Sequence, residues 1–547
     1  MKFGLENYLG KYRVYGRLGF NRVCAMLAPA EAALADFPFV RSDVAMFDRM
    51  TCRGGGGAAI DGQTWSDMLL DEYSDLLAPG TGIFGRQILH ARLRQGDPDQ
   101  TCAARLRGLL QEPDGLASLE VACAGLRRAD VDVSELLFTE AAAAEAADDA
   151  PVAGRRLCWL LTLMPLALAL AVGAALFGSW VLWPLVVALW LGLMAVQVRY
   201  YESAKEWERW TRALQRQLRA HSLLGQLGLA PAQPLRAGQA RAAAIGGAIC
   251  RSALGGMPIA GEYGDWVLLG NIKHYVKSRA LVRANLDFLR DSYLLVANLE
   301  ADLALARHLL RTPVFCWAAH SEDGTLALQG VVHPLLERAA PLSFSLRGKG
   351  AFISGQNGIG KSTLLRGVGL NSIVARAFGF CYAQAAALPM LPVYSSMQSE
   401  DTLAGGESLY LAELRRAKEL LALADGPQRA VFIIDEIFRG TNHLESISAA
   451  AAVLHTLAAR GTVIVASHNL VLAPLLIDCL APLCVSAPDG DPARLTLAPG
   501  VLAAPNGIAL LAARGFGAPL EAKANAVFDW LSAHLAQPGE CGHVLAA

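Results

Sequence analysis

The alternation of apolar and polar positions changes character three times along the chain. Residues 157–198 hold no charged side chain over 42 positions. About 20 apolar residues suffice to cross a bilayer as a helix. The run is long enough for two crossings, and Gly178-Ser179 near its middle can turn the chain. Trp159, Trp180, Trp183 and Trp190 lie along it, and Trp is favoured where membrane meets water. Arg155 and Arg156 precede the run, and Arg199 and Lys205 follow it. Basic flanks tend to stay on the cytoplasmic side. The pattern therefore predicts a helical hairpin that dips through a membrane and returns. A buried helical pair inside a large core is the competing reading, although core helices usually keep one polar stripe.

Past the run, Lys205, Arg209, Arg212, Arg216 and Arg219 recur every three or four residues, which aligns them on one helical face. Such a stripe lies on anionic lipid, touches nucleic-acid phosphates, or is a solvated face offset by Glu202, Glu206 and Glu208. Pro231 to Gly256, rich in small residues, reads as a linker or irregular segment. Helical periodicity returns from Asn271 to Leu310. Residues 1–150 read as mostly helical, with a pattern through Leu69, Leu70 and Tyr73, an amphipathic stretch from Phe84 to Leu93 and an alanine-rich helix from Ala141 to Ala147. Gly54 to Gly57 lack a following Lys-Ser/Thr pair and read as a connector, not a phosphate loop. From 321 to 520, short apolar runs alternate with helical patterns, as in an α/β domain. Glu521 to Leu535 is one more amphipathic helix.

Composition sets limits. Lys and Arg number 48 against 49 Asp and Glu, a net charge of −1, so gross charge names no polyanionic partner. Residues 201–347 hold 17 Lys and Arg against 12 Asp and Glu, a surplus of 5 (17 − 12), too small to be a nucleic-acid signature by itself. The hydrophobic share of 54% is high, and the uncharged run supplies much of it. Eleven cysteines occur without a C-x-x-C pair, which argues against a disulfide framework or a structural zinc site and fits a reducing cytoplasm. The first 22 residues interleave Lys2, Glu6, Lys11, Arg13 and Arg17 with apolar residues and do not read as a cleaved signal peptide.

The candidate chemistry lies in the C-terminal part. Gly355-Gln356-Asn357-Gly358-Ile359-Gly360-Lys361-Ser362 fits G-x-x-x-x-G-K-[S/T], between an apolar run at 351–354 and a helix opening at Thr363. A strand, a glycine loop and a helix start surround one anion with backbone N–H groups. Residues 355–363 are the candidate ATP-binding residues. Lys361 would reach the β- and γ-phosphates, and the Ser362 hydroxyl would bind Mg²⁺. The apolar run 430–434 ends in Asp435-Glu436. Asp435 would hold Mg²⁺ through water, and Glu436 would orient and deprotonate the attacking water. A second apolar run, 462–466, ends in Ser467-His468. His468 is placed to contact the γ-phosphate or the water. Between these elements, Gly406 and Ser408 stand just before a helix from Leu409 to Leu421, a second candidate anion site.

Together these motifs resemble the ATPase domain of the MutS family of DNA mismatch-repair and recombination ATPases. The P-loop is similar to that family's G-P-N-x-x-G-K-S, with Gln356 in place of Pro. Asp435-Glu436-Ile437-Phe438-Arg439-Gly440-Thr441-Asn442 resembles D-E-x-x-R-G-T-S, and Ala466-Ser467-His468 resembles A-T-H. Asp401 through Glu413 resembles D-x-L-x-x-G-x-S-x-F-x-x-E, with Tyr410 at the Phe position. His333-Pro334 and Asn506-Gly507-Ile508 match further landmarks. The resemblance is firm over about 320–530 and faint over 60–95 and 270–310. It implies Mg-ATP hydrolysis. It also resembles the ATP-binding-cassette group, in which the Gly-x-Ser element caps the γ-phosphate of a partner subunit; this implies a homodimer through the ATPase domain. The family's mismatch wedge, Phe-x-Glu, has its single counterpart at Phe138-Thr139-Glu140, read as a chance match. Mismatch recognition is accordingly not expected.

The expected fold is an α/β P-loop NTPase domain of the ABC/MutS type, preceded by a mostly α-helical core region that a two-helix transmembrane hairpin interrupts. The expected boundaries are 1–150 (helical), 151–200 (hairpin), 201–320 (core and lever), 321–520 (ATPase) and 521–547 (C-terminal helix). The expected setting is the inner, cytoplasmic membrane, multi-pass, with the ATPase domain in the cytoplasm. The expected function is an ATP-driven clamp with DNA as a possible partner. The alternative is a machine that remodels the membrane or a protein partner without DNA.

Overall fold

The computed structural model describes residues 36–51, 60–97, 101–139, 150–178, 180–251, 264–337, 340–397, 409–439, 442–487, 495–503, 506–508 and 517–534. Gly54 to Gly57, Ala141 to Ala147, Glu140, Gly406, Ser408, Gly440 and Thr441 lie outside them. The chain divides into two compact units: the first takes its residues from 1–54, 78–88 and 109–304, the second from 55–77, 89–108 and 305–547.

Every regular element described in the first unit is a helix. Ala150–Phe177 and Trp183–Gln226 turn back on each other through a short connection. Leu161 meets Leu193 at one end of their contact, and Ala171 and Ala175 meet Val186 at the other. Among the described residues, only Trp183–Gln226 is long and apolar enough to cross a membrane; the apolar stretch Leu161–Phe177 is shorter. The expectation of a two-span hairpin at 157–198 is thus cut back to one candidate span, which packs against the shorter apolar helix before it. The second helix does not stop at the end of the apolar run. It continues to Gln226, because Ala204, Trp207, Leu214 and Leu218 keep one face buried.

The expected linker from 231 to 256 is corrected by a helix at Gln239–Ile249, whose Ala242, Ile245 and Ile249 are buried. Alanine is the best helix former, and the helix packs beside Leu218 at Gly246. In the stripe at 205–219, Arg209 pairs with Asp130 at 3.3 Å and Arg216 donates to the Arg128 carbonyl. Phe138 packs edge-on against Phe47 and Tyr293, which gives it a packing role. The Glu300 carboxylate, buried in this unit, accepts from the N–H groups of Gly82 and Gly85 at 2.8 Å each. It thereby satisfies the start of helix Ile83–Gln95.

The second unit holds the α/β domain. Its strands are β1 (Cys316–Trp317), β2 (Ala319–His320), β3 (Leu326–Val331), β4 (Leu342–Leu346), β5 (Gly350–Gly355), β6 (Phe380–Cys381), β7 (Ala385–Leu388), β8 (Val393–Ser396), β9 (Val431–Asp435), β10 (Thr462–Ala466), β11 (Leu480–Ser486) and β12 (Thr496–Pro499). Six of them form a sheet in the order β12-β11-β5-β10-β9-β8, parallel except for β12. Strands buried on both faces read as continuous apolar runs, as β5, β9 and β10 do. Phe432, Ile434, Val463 and Val465 face a core shared with helices Leu409–Ala424 and His443–Arg460. Helix Lys361–Phe378 packs close to Ile433, near Gly369.

The N-terminal segment 60–77 belongs to this unit. Helix Gly62–Asp67 begins at Asp61, whose Oδ1 accepts the Thr64 N–H at 2.7 Å as an N-cap. Asp61 Oδ2 pairs with Arg416 Nη1 at 2.7 Å. The buried Asp67 carboxylate accepts from Ser395 Oγ at 2.7 Å and from the Met397 N–H at 2.9 Å. Arg416 Nε also donates to the Ser395 carbonyl at 2.9 Å. One short helix thus holds both the end of β8 and the helix Leu409–Ala424.

Candidate active site

Parallel register brings the three motif-bearing strand ends side by side. Ala466 of β10 stands opposite Ile353 of β5 and Asp435 of β9. The P-loop, Asp435-Glu436 and Ser467-His468 therefore leave the sheet at the same edge. The crevice beyond the carboxyl ends of parallel strands is where such sheets bind ligands.

The loop after β5 needs glycine at two positions. Gly358 has φ 76° and Gly360 has φ 100°, both in the region that side chains disfavour. Gly360, the N-cap of helix Lys361–Phe378, has no side chain with which to cover the first N–H groups of the helix. These donors and the helix dipole favour an anion. Lys361 is largely buried, and its Nζ donates to the carbonyls of Gly355 and Gln356 at 3.0 and 3.1 Å. Burial pulls its pKa down, opposed by the Glu436 and Asp435 carboxylates. Asn506 Oδ1 accepts the Asn357 N–H at 2.9 Å and so braces the loop from outside. Ile359 and Ser362 are half-buried, while Gln356, Asn357 and Thr363 are exposed.

Glu436 occupies a strained backbone. Its φ of 64° and the 56° of Phe438 are left-handed, at about 1–3 kcal/mol each for a residue with a side chain. The Glu436 N–H still pairs with the Ala466 carbonyl at 2.9 Å, so the turn begins without loss of a ladder bond. The turn directs the carboxylate toward β10, where Oε1 accepts the His468 N–H at 2.9 Å. The His468 ring stands 3.6 Å from the same oxygen. Burial raises the Glu436 pKa, opposed by the His468 N–H. Burial and then Lys361 lower that of His468. Asp435 is buried beside them at the end of β9.

Behind Glu436, the Arg439 N–H donates to Glu413 Oε2 at 2.9 Å, and Tyr410 packs edge-on against Phe438. The helix that follows the Gly-x-Ser element is thereby fastened to the Asp-Glu loop. Gly406 and Ser408 themselves lie outside the described residues. The Asp61, Asp67 and Arg416 contacts escaped the sequence reading, and no local signal marks pairs more than 300 residues apart.

The family model of MutS domain V matches residues 351–479, which spans the P-loop, the Asp-Glu strand and the Ser-His strand. A DNA mismatch repair protein MutS from Thermus thermophilus is 28% identical over 226 residues, covering 40% of this chain and 27% of that protein. The protein of that name from Thermus aquaticus is 26% identical over 267 residues, covering 47% and 32%. The one from Thermotoga petrophila is 33% identical over 154 residues, covering 27% and 19%. The chain therefore matches between 19% and 32% of the length of these three relatives. The similarity to the MutS family thus rests on this C-terminal region, whose residues 351–479 match MutS domain V.

Proposed function

We propose that the protein is a membrane-anchored MutS-like ATPase that hydrolyses Mg-ATP in a homodimer and uses the resulting closure to clamp DNA. The observation that carries the ATPase reading is the convergence of the P-loop, Asp435-Glu436 and Ser467-His468 at one sheet edge. The donor set fits Mg²⁺ held together with substrate phosphates. Ser362 and Asp435 offer hard oxygen ligands, and the described residues contain no cluster of three or more His, Cys, Asp or Glu that would cage a metal alone. Mg²⁺ usually takes one or two carboxylates plus phosphates. When bound, it neutralises charge on the phosphates.

The chain's own groups divide the work. The N–H groups of residues 358–363 cradle the phosphates, and Lys361 turns from the loop carbonyls toward the β- and γ-oxygens. Glu436 takes the proton of the attacking water. The His468 backbone N–H holds Glu436 in place, and its ring faces the same water. Ser408 of one subunit completes the site of the other in the dimer, with Gly406 giving the close approach.

The membrane reading rests on the paired helices 150–177 and 183–226, which expose Leu166, Leu170, Leu176, Phe177, Leu185 and Trp190. Surface patches of this kind mark partner or lipid contacts. The anchoring membrane is proposed to be the inner, cytoplasmic one, with the ATPase domain on its cytoplasmic side. The same helices favour a second reading, ATP-driven remodelling of the membrane or of a protein partner with no DNA role. ATPase activity of the purified protein, with and without duplex, branched and single-stranded DNA at stated salt, separates the two. Stimulation by DNA supports the clamp, and a flat response supports the second reading.

A further inference from the structure

The helical turn at 264–268 carries three consecutive large apolar side chains to the surface: Trp266, Val267 and Leu268, between 41% and 55% exposed. Single exposed hydrophobes need no explanation, but a contiguous group does. Its place in the first unit supplies one. The Trp266 ring stacks on Tyr201, with centroids 6.1 Å and planes 28° apart. Tyr201 stands two residues past Arg199, the first charge after the apolar run. Leu269, left-handed at φ 52°, then turns the chain sharply into helix Gly270–Ala284. Leu269 and Ile272 are buried against Leu161 and Leu193 of the two long helices. Leu193 lies six residues before Arg199 (199 − 193), about 9 Å along a helix. Residues 264–272 therefore straddle the level at which the apolar run gives way to charge. Cations mark the same level: Lys205 Nζ is 6.0 Å from the Tyr201 ring, and the Arg199 guanidinium is 5.8 Å from that of Tyr200. Apolar side chains at the same level as aromatic groups and cations suit the headgroup layer of a bilayer.

We propose that Trp266, Val267 and Leu268 insert into the headgroup–acyl boundary of the membrane as an anchor separate from the long helices. This rests on the membrane reading above and adds a contact from outside the apolar run. The occupant is lipid, because the turn continues the surface of the span at its charged end. The anchor sets the height of helix Gly270–Ala284 relative to the membrane surface.

The test uses full-length protein in phosphatidylcholine–phosphatidylglycerol vesicles and the variant Trp266→Phe, which keeps a ring on Tyr201. The emission difference between the two proteins isolates Trp266 from the other tryptophans. Lipids brominated near the headgroup end of their chains are expected to abolish that difference, and aqueous iodide to leave it unchanged. A difference that iodide removes and bromolipid does not puts Trp266 in water and overturns the proposal. Quenching by neither puts the ring under protein and overturns it equally. Flotation separates the two levels of failure. Protein that floats with the vesicles while Trp266 escapes bromolipid loses this anchor alone, whereas protein that does not float overturns the membrane reading as well.

Discussion

In its proposed role as the base, Glu436 faces two opposing demands. Burial favours its neutral form, whereas proton abstraction needs the carboxylate. The His468 N–H at 2.9 Å and the left-handed backbone that aims the side chain reconcile them. Glu436→Gln keeps the shape and removes the base. It should still bind ATP, lower kcat by about 10²- to 10⁴-fold and accumulate the ATP-bound dimer in size-exclusion runs. Rapid turnover in that variant would exclude Glu436 as the base. The pH dependence follows from the raised pKa. The active carboxylate is lost as pH falls through a value above the ordinary 4.5, so the acid limb of kcat/KM should lie above 4.5. The limb should persist in His468→Asn, because the imidazole pKa is itself lowered and the ring is neutral near pH 7. A limb that vanishes with His468 would assign it to the imidazole instead.

At the scale of elements, helix Gly62–Asp67 holds the end of β8 and the helix Leu409–Ala424 together. Arg416 is its main partner, with only 11% of the side chain exposed and bonds to Asp61 and the Ser395 carbonyl. Arg416→Ala leaves both acceptors short of a donor and should destabilise the protein by about 2–4 kcal/mol, read as a lower denaturation midpoint. Arg416→Lys should recover only part, since one ammonium cannot reproduce the guanidinium fork. Burial pushes the Asp61 pKa up, but Arg416 and Thr64 bring it below 3.8. The ionised pair therefore stabilises above pH 3.8, and that stability is lost as pH falls through the lower folded value. The gap between wild type and Arg416→Ala should narrow over that range. A gap that stays constant would point to packing by the arginine stem alone.

At the scale of the whole molecule, the proposed function turns on the apolar run. Replacing residues 157–198 with a short linker should release the protein from the membrane fraction resistant to alkaline carbonate, and retention would rule out the apolar run as the anchor. How much of this was legible in the sequence depends on the range of the interactions. The P-loop was legible because its strand, its glycines at 358 and 360, Lys361 and Ser362 are neighbours in the chain, and a phosphate cradle is built from consecutive backbone groups. The strands at 430–434 and 462–466 were legible because strands buried on both faces must be apolar throughout. The helix at 239–249 was misread as linker because its alanines and glycines carry no periodic polarity; burial beside Leu218 makes it a helix. The second long helix was legible in two pieces, the apolar run to 198 and the helical basic stripe at 205–219; buried contacts join them into one helix that ends at Gln226. By itself, the sequence determined the P-loop motif and the apolar run, both set by residues adjacent in the chain. Only the tertiary structure decided that Glu436 is turned onto the His468 N–H and that Asp61 and Asp67 secure the end of β8 and the helix Leu409–Ala424. Those arrangements depend on the register between distant segments, which no local pattern encodes.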